Sequence, residues 1–310
     1  MKRFSLLLLA ANSLLWSAVS LAAQRPHYGG TLRIEVRDSL QSFDPVAVTA
    51  AGPKSLSLLV FETLVQLDDR GRPQPLLATS WQAEPGNQRW RFQVRSGVSF
   101  SDGTPLDAAA VAASLRNSNS EWKVVAAGDA VIVETEAPDL FVPAALAQAR
   151  HGIDRRSNGA LVGTGPFTIR EWTPAKHLAL AANDQYWAGR PFLDAVEVDF
   201  GKNDRDQMMM LDLARADIAQ VATENIHRTQ AESRQVIVSQ PAELMALVFS
   251  RAPQSDDEMH ARKALAFAID TTALNNVVMQ GGGEPTAALL PNWMSGYAFI
   301  FKQPDGAHLA

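Results

Sequence analysis

Cysteine is absent from the sequence. Disulfides, thiolate metal sites and cysteine nucleophiles are therefore excluded, as is a lipid anchor, which needs a cysteine just behind a leader. Clustered basic charge is missing too. The 28 Lys and Arg stand against 33 Asp and Glu, for a net charge of −5. Phosphate neutralisation needs grouped cations, so no nucleic-acid partner is expected, and Arg155-Arg156 reads as ordinary solvated surface. Beyond the first 23 residues no stretch has the length and apolarity of a membrane span. The signatures of zinc proteases and serine hydrolases, H-E-x-x-H and G-x-S-x-G, do not occur. Gly281-Gly282-Gly283 lacks the Lys-Ser/Thr pair of a phosphate loop. The six histidines (His27, His151, His177, His227, His260 and His308) show no ligand-like spacing and read as surface or capping residues. On these grounds no catalytic residue, no metal and no cofactor is expected.

At the amino end, Lys2 and Arg3 precede a mostly apolar run from Phe4 to Trp16, and Ser17 to Ala23 supplies small residues. This is the layout of a secretory signal peptide at 1–23, cleaved after Ala22 or Ala23, with an uncleaved anchor as the alternative. Two-residue alternation then predicts strands at Thr31–Val36, Trp90–Arg95, Val131–Glu134 and Phe192–Phe200. Leu244–Phe249 reads as a short buried strand. Apolar spacing predicts helices over Ser55–Leu67, Asp206–Ile218 and Met259–Asp270, the last with Ala264, Leu265, Phe267, Ala268 and Ile269 inside. Thr104-Pro105-Leu106-Asp107 offers an N-cap, a proline and an acid before an Ala-rich helix to Leu115. Two of the three residues Met208-Met209-Met210 are expected to fill core gaps. Strands mixed with helices imply an α/β or α+β protein.

Ordered motifs add a resemblance. Tyr28-Gly29-Gly30-Thr31-Leu32, the loop Asp38 to Pro45, Phe61-Glu62-Thr63-Leu64-Val65 and Pro75 to Trp81 follow one another. Val94 to Leu106, Gly163-Thr164-Gly165-Pro166-Phe167, Asn183 with Tyr186-Trp187-x-Gly189-x-Pro191, and Arg262 to Asp270 complete the series. Together they resemble the solute-binding proteins of family 5, the peptide/nickel class that serves ABC importers. The resemblance implies an α/β, periplasmic binding protein-like fold of class II, two-lobed, with the second lobe incomplete at Ala310. It implies a signal peptide at 1–23, a first lobe at 24–240 with a small inserted subdomain at roughly 54–160, and the beginning of a second lobe at 241–310.

The same resemblance implies a monomeric, periplasmic binding component that takes a peptide or related small solute to an ABC permease. It touches the membrane only through that permease. The cleft is expected to be faced by Ser39, Leu40, Phe43 and Asp44 of the loop and by Arg150, an anion-pairing residue by position, with Trp81 and Trp172 as aromatic candidates. Two readings stand beside it: an enzyme using a carboxylate pair, and a truncated, non-transporting interaction protein or degenerate receptor fragment.

Overall fold

The computed structural model describes residues 27–47, 54–157, 159–232, 234–238 and 244–286. The expected signal peptide at 1–23 and the final stretch from Tyr297 lie outside the described residues. The chain enters through β1 (Thr31–Glu35) and the one-turn helix α1 (Lys54–Ser57). A hairpin of β2 (Val65–Leu67) and β3 (Pro73–Pro75) leads to β4 (Ala78–Ala83), β5 (Arg89–Val94), α2 (Ala108–Ser118), β6 (Lys123–Ala127), β7 (Ala130–Glu134) and α3 (Val142–Ala145). A second hairpin, β8 (Asp154–Ser157) and β9 (Ala160–Gly163), returns the chain to β10 (Phe167–Thr173), β11 (His177–Ala182) and β12 (Ala195–Asp199). Helix α4 (Asp204–Asp212), β13 (Ile218–Ala219), α5 (Ile226–Ala231), α6 (Asp256–Ala268) and α7 (Thr271–Val277) follow.

Two sheets carry two cores. The mixed sheet has the order β10-β11-β12-β1-β13, with β1 parallel to both β12 and β13 and the remaining pairs antiparallel. The alternation of β1 works as the sequence implies: Leu32 and Ile34 pack on a core of Leu40, Phe43, Phe61, Leu178, Leu180, Val196 and Val198. The opposite face carries Arg33, whose guanidinium donates to Asp217 and to the Ala214 carbonyl. The antiparallel sheet β4-β5-β7-β6 buries Phe92, Val131 and Val133 against Val111 and Leu115 of α2. Each fully buried side chain of this size contributes roughly 1.5–3 kcal/mol.

Several local expectations are corrected. The helix expected over Ser55–Leu67 stops after one turn, and Val65–Leu67 is a strand. Its carbonyls are claimed by distant donors instead of by the next turn. Phe167 N–H bonds Leu59 O (3.0 Å), Gly165 N–H bonds Val60 O (2.9 Å) and Ile153 N–H bonds Glu62 O (2.7 Å). The cap of α2 is Asp107, which accepts from Ala110 N–H at 2.7 Å, and not Thr104. Residues 98–106 form a tight hairpin instead, with Leu106 N–H on Val98 O and Gly103 at φ +83° in its turn.

Helix α4 ends at Asp212, and Ile218 belongs to β13. Its fully buried member is Gln207, while Met209 is exposed and Met208 and Met210 are half-buried. Leu244–Phe249 is neither a strand nor buried: Met245 and Val248 are 86% and 81% exposed, with no paired strand beside them among the described residues. In α6, Ala264, Leu265 and Ala268 are exposed, Phe267 is half-buried, and Ile269 is the half-buried C-cap.

Candidate functional site

Parallel strands expose their carboxyl ends together, and ligand crevices in α/β sheets form from the segments leaving that edge. Here β12, β1 and β13 end side by side at Asp199, Glu35 and Ala219. The segment after β1 is fastened to its neighbours: Arg37 N–H donates to Gln220 Oε1 (3.2 Å), its guanidinium pairs with Asp204 (2.5 Å), and Lys202 N–H bonds Val36 O (3.1 Å). Asn203 caps α4 by accepting from Asp206 N–H at 2.9 Å. A shallow groove of about 550 Å³ runs along Arg37, Lys202, Asn203, Asp204 and Arg205.

Beneath α4, Gln207 donates to Lys202 O (3.0 Å) and accepts from Gln220 N–H (2.8 Å). The same Gln220 N–H also reaches Glu35 O at 3.3 Å. Glu35 is 4% exposed, and its Oε2 has no hydrogen-bond partner. Burial first, then the neighbouring Asp199 carboxylate, raises its pKa, with Lys202 opposing.

The loop after β1 is divided between surface and core. Ser39 is exposed, whereas Leu40 and Phe43 are buried, and Trp172 packs half-buried between Phe43 and Phe200 with ring centroids 5.7 and 6.0 Å away. Asp44 is bonded by Val46 N–H (3.0 Å) and pairs with Arg156 of β8 at 3.0 Å, which joins the mixed sheet to the hairpin β8–β9. In that hairpin the Asp154 carboxylate accepts from Ser114 Oγ (3.0 Å), burial raises its pKa, and Arg155 faces Asp102 at 3.4 Å.

Arg150 is exposed in the 3-10 turn Ala149–His151, and its guanidinium donates to Ser118 O at 3.3 Å. The adjacent His151 is 3% exposed, stacks on Trp122 and shares a 2.8 Å hydrogen bond with Ser118 Oγ. Burial, aided by the Arg150 charge, holds its pKa down at about 4. Trp81 lies half-buried against Phe92, on the other core. Leu40, Phe43, Asp44 and Trp172 thus come together, and Arg150 and Trp81 stand apart from them. Among the described residues no group of three His, Asp or Glu side chains is placed to hold a metal ion.

Glu62 draws four of the motifs together. Its carboxylate accepts from Thr164 Oγ1 (2.9 Å), Tyr186 OH (2.7 Å) and Trp187 Nε1 (2.9 Å), and Arg95 lies over the Trp187 ring at 4.6 Å. Gly163 and Gly165 are required here by space: a Cβ would meet Val60 O at 2.0 Å and Leu59 O at 2.5 Å. Sequence reasoning did not single out Glu35, Arg37, Glu62 or Arg156. Glu35 occupies a polar slot of a strand pattern that reads as solvent face, Arg37 lies just past that strand, and Arg156 reads as plain surface. Glu62 had a signal, a lone acid inside a buried apolar run.

Comparison with known proteins follows the same lines. Residues 72–309 match the family described as bacterial extracellular solute-binding proteins, family 5 Middle. The probable D,D-dipeptide-binding periplasmic protein DdpA of Escherichia coli is 22% identical over 292 residues, covering 83% of this chain and 56% of DdpA. Among solved structures, the oligopeptide-binding protein AppA of Bacillus subtilis, in complex with a nonapeptide, superposes with a TM-score of 0.74 at 20% identity, over 91% of this chain and 62% of AppA. NikA of Brucella suis, in complex with Fe(III)-EDTA, gives 0.75 at 20% identity, over 89% of this chain and 62% of NikA. The chain spans less than two thirds of the length of each of these relatives.

Proposed function

The chain belongs to the bacterial extracellular solute-binding proteins of family 5, and from that premise we propose that it is the substrate-binding component of an ABC importer. In this reading it captures peptides or related small solutes outside the cytoplasm and hands them to a permease, without catalysing a reaction and as a monomer. The signal peptide at 1–23 directs export. The first lobe runs over 24–240 with its inserted subdomain at roughly 54–160, and the second lobe begins at 241.

The observation that carries the proposal is the strand edge. Its loop after β1 is rooted by Leu40 and Phe43 in the core and tied by Asp44 to Arg156, which leaves Ser39 and the Arg37 groove turned outward. Such an anchored loop holds its polar groups in place before a ligand arrives, which lowers the ordering cost of binding. Ser39, Asp44 and Arg150 are the positions assigned to the solute, with Trp81 as an outlying aromatic contact. Leu40, Phe43 and Trp172 support the loop from behind.

The test uses the full chain, recovered from the periplasmic fraction and examined by native mass spectrometry. It is then melted with and without a pool of di- to pentapeptides or a nickel–histidine chelate. A co-purified small solute, or a rise in Tm of a few degrees with one pool that Arg150→Ala or Asp44→Ala abolishes, is expected. A chain that carries no solute, ignores both pools and instead holds a stoichiometric protein partner is an interaction module and not a receptor.

A further inference from the structure

Helices α6 and α7 contain no buried residue, so no apolar core among the described residues holds this hairpin to the two-sheet unit. Contact is made elsewhere, at the turn that follows α7. A Cβ added to Gly282 would lie 2.4 Å from Thr223 Cγ2 and 2.7 Å from Thr223 O. One added to Gly281 would lie 3.3 Å from His227 Nε2. Backbone therefore touches the turn Thr223–Asn225 directly, at an approach that only glycine allows.

Both sides of the contact are stiff. Gly281 N–H bonds Asn275 O, Gly282 N–H bonds Met279 O and Gly283 N–H bonds Asn275 Oδ1, each at 2.9 Å, so the turn is fastened to its own hairpin. On the other side, Ala222 is buried, and Asn225 Nδ2 donates to Asp204 at 3.0 Å, the carboxylate that also holds Arg37. Thr223 stands four residues beyond β13, on the edge that carries the groove.

We infer that the Gly281–Gly283 turn is the closing contact between the lobes, seating the α6–α7 hairpin on Thr223 at the mouth of the strand edge. The inference rests on the two-lobed fold and is independent of which solute is bound. Gly282 is the discriminating position. Gly281 needs glycine for its φ of +76° as well, whereas Gly282 is constrained chiefly by Thr223, with Met279 O of its own turn next at 3.1 Å.

A chain without native cysteine accepts two spin labels cleanly, at Ala113→Cys on α2 and Ala261→Cys on α6, both exposed. Double electron–electron resonance on the full chain without ligand should give a narrow distance distribution. Gly282→Ala should shift its mean outward and broaden it. Thr223→Leu, made from the opposite side, should do the same, so either variant suffices if the other fails to fold. Gly283→Ala, whose Cβ would press only on Asn275 Oδ1 of its own hairpin at 2.8 Å, should shift and broaden the distribution less than Gly282→Ala does. An unchanged distribution in Gly282→Ala and Thr223→Leu, or equal broadening in Gly283→Ala, overturns the inference. Because no ligand enters this measurement, its failure is distinct from a failure to bind solute.

Discussion

Two glutamates of similar burial meet opposite fates. Glu62 receives three side-chain donors and faces Arg95, whereas Glu35 keeps one oxygen without any donor. Removing Glu62 strands three donors, so Glu62→Ala should cost about 3 kcal/mol in urea-midpoint measurements. Glu35→Gln should act the other way. A carboxyl whose pKa is raised on folding contributes stability below its ordinary value and loses it as pH rises through the folded value. Charging the buried Glu35 becomes a growing burden as pH rises, and glutamine removes it, so the Tm of the variant should gain on that of the parent between pH 4 and pH 7. A variant that loses ground to the parent over that range would show that the ionised oxygen has a use in the fold.

The elements that could be read from the sequence are those whose own pattern decides them. Strands β1, β5 and β7 alternate apolar and polar residues, and each lies within a residue or so of its expected span. The helix expected at Ser55–Leu67 failed because its carbonyls serve residues about 90 to 110 positions later in the chain, which no local periodicity records. The start of α2 shows the same limit on a smaller scale. Thr104 and Asp107 are both good caps, and the bond between Leu106 N–H and Val98 O selects the second. Asp107→Ala should therefore lower stability by about 1 kcal/mol and Thr104→Ala by clearly less, read from paired thermal melts. Equal losses would restore Thr104 as the cap. The site was legible only as a segment: the loop after β1 stood out by its motif, while Arg37, Glu35 and Arg156 acquire meaning from partners in β13, α4 and the Asp44 loop.

For the molecule as a whole, acid is the informative stress. His151 is folded neutral with a pKa of about 4, against an ordinary 6.5 when unfolded. Its contribution is fully present above 6.5 and is lost as pH falls towards 4, by up to about 3 kcal/mol. Buried Glu35, Glu62 and Asp154, whose pKa values are raised, slope in the opposite direction. The comparison must therefore be made against His151→Gln, whose urea midpoint should fall less steeply than the parent's between pH 6.5 and 4. Parallel slopes would mean that His151 takes up a proton in the fold as readily as out of it.

The position of β1 sets the timetable of assembly. It precedes every other described strand in the chain, yet in the finished sheet it lies between β12 and β13, with Thr31 paired to Ala195 and Ile34 to Ile218. Neither edge of this strand can find its native neighbour until the chain has been made through β12 and β13. The antiparallel sheet β4-β5-β7-β6, made from contiguous chain, can close long before, because ring closure over short stretches loses less entropy. A chain built this way leaves β1 unpaired while the antiparallel sheet is already closed, so the mixed sheet is the last of the two to be completed.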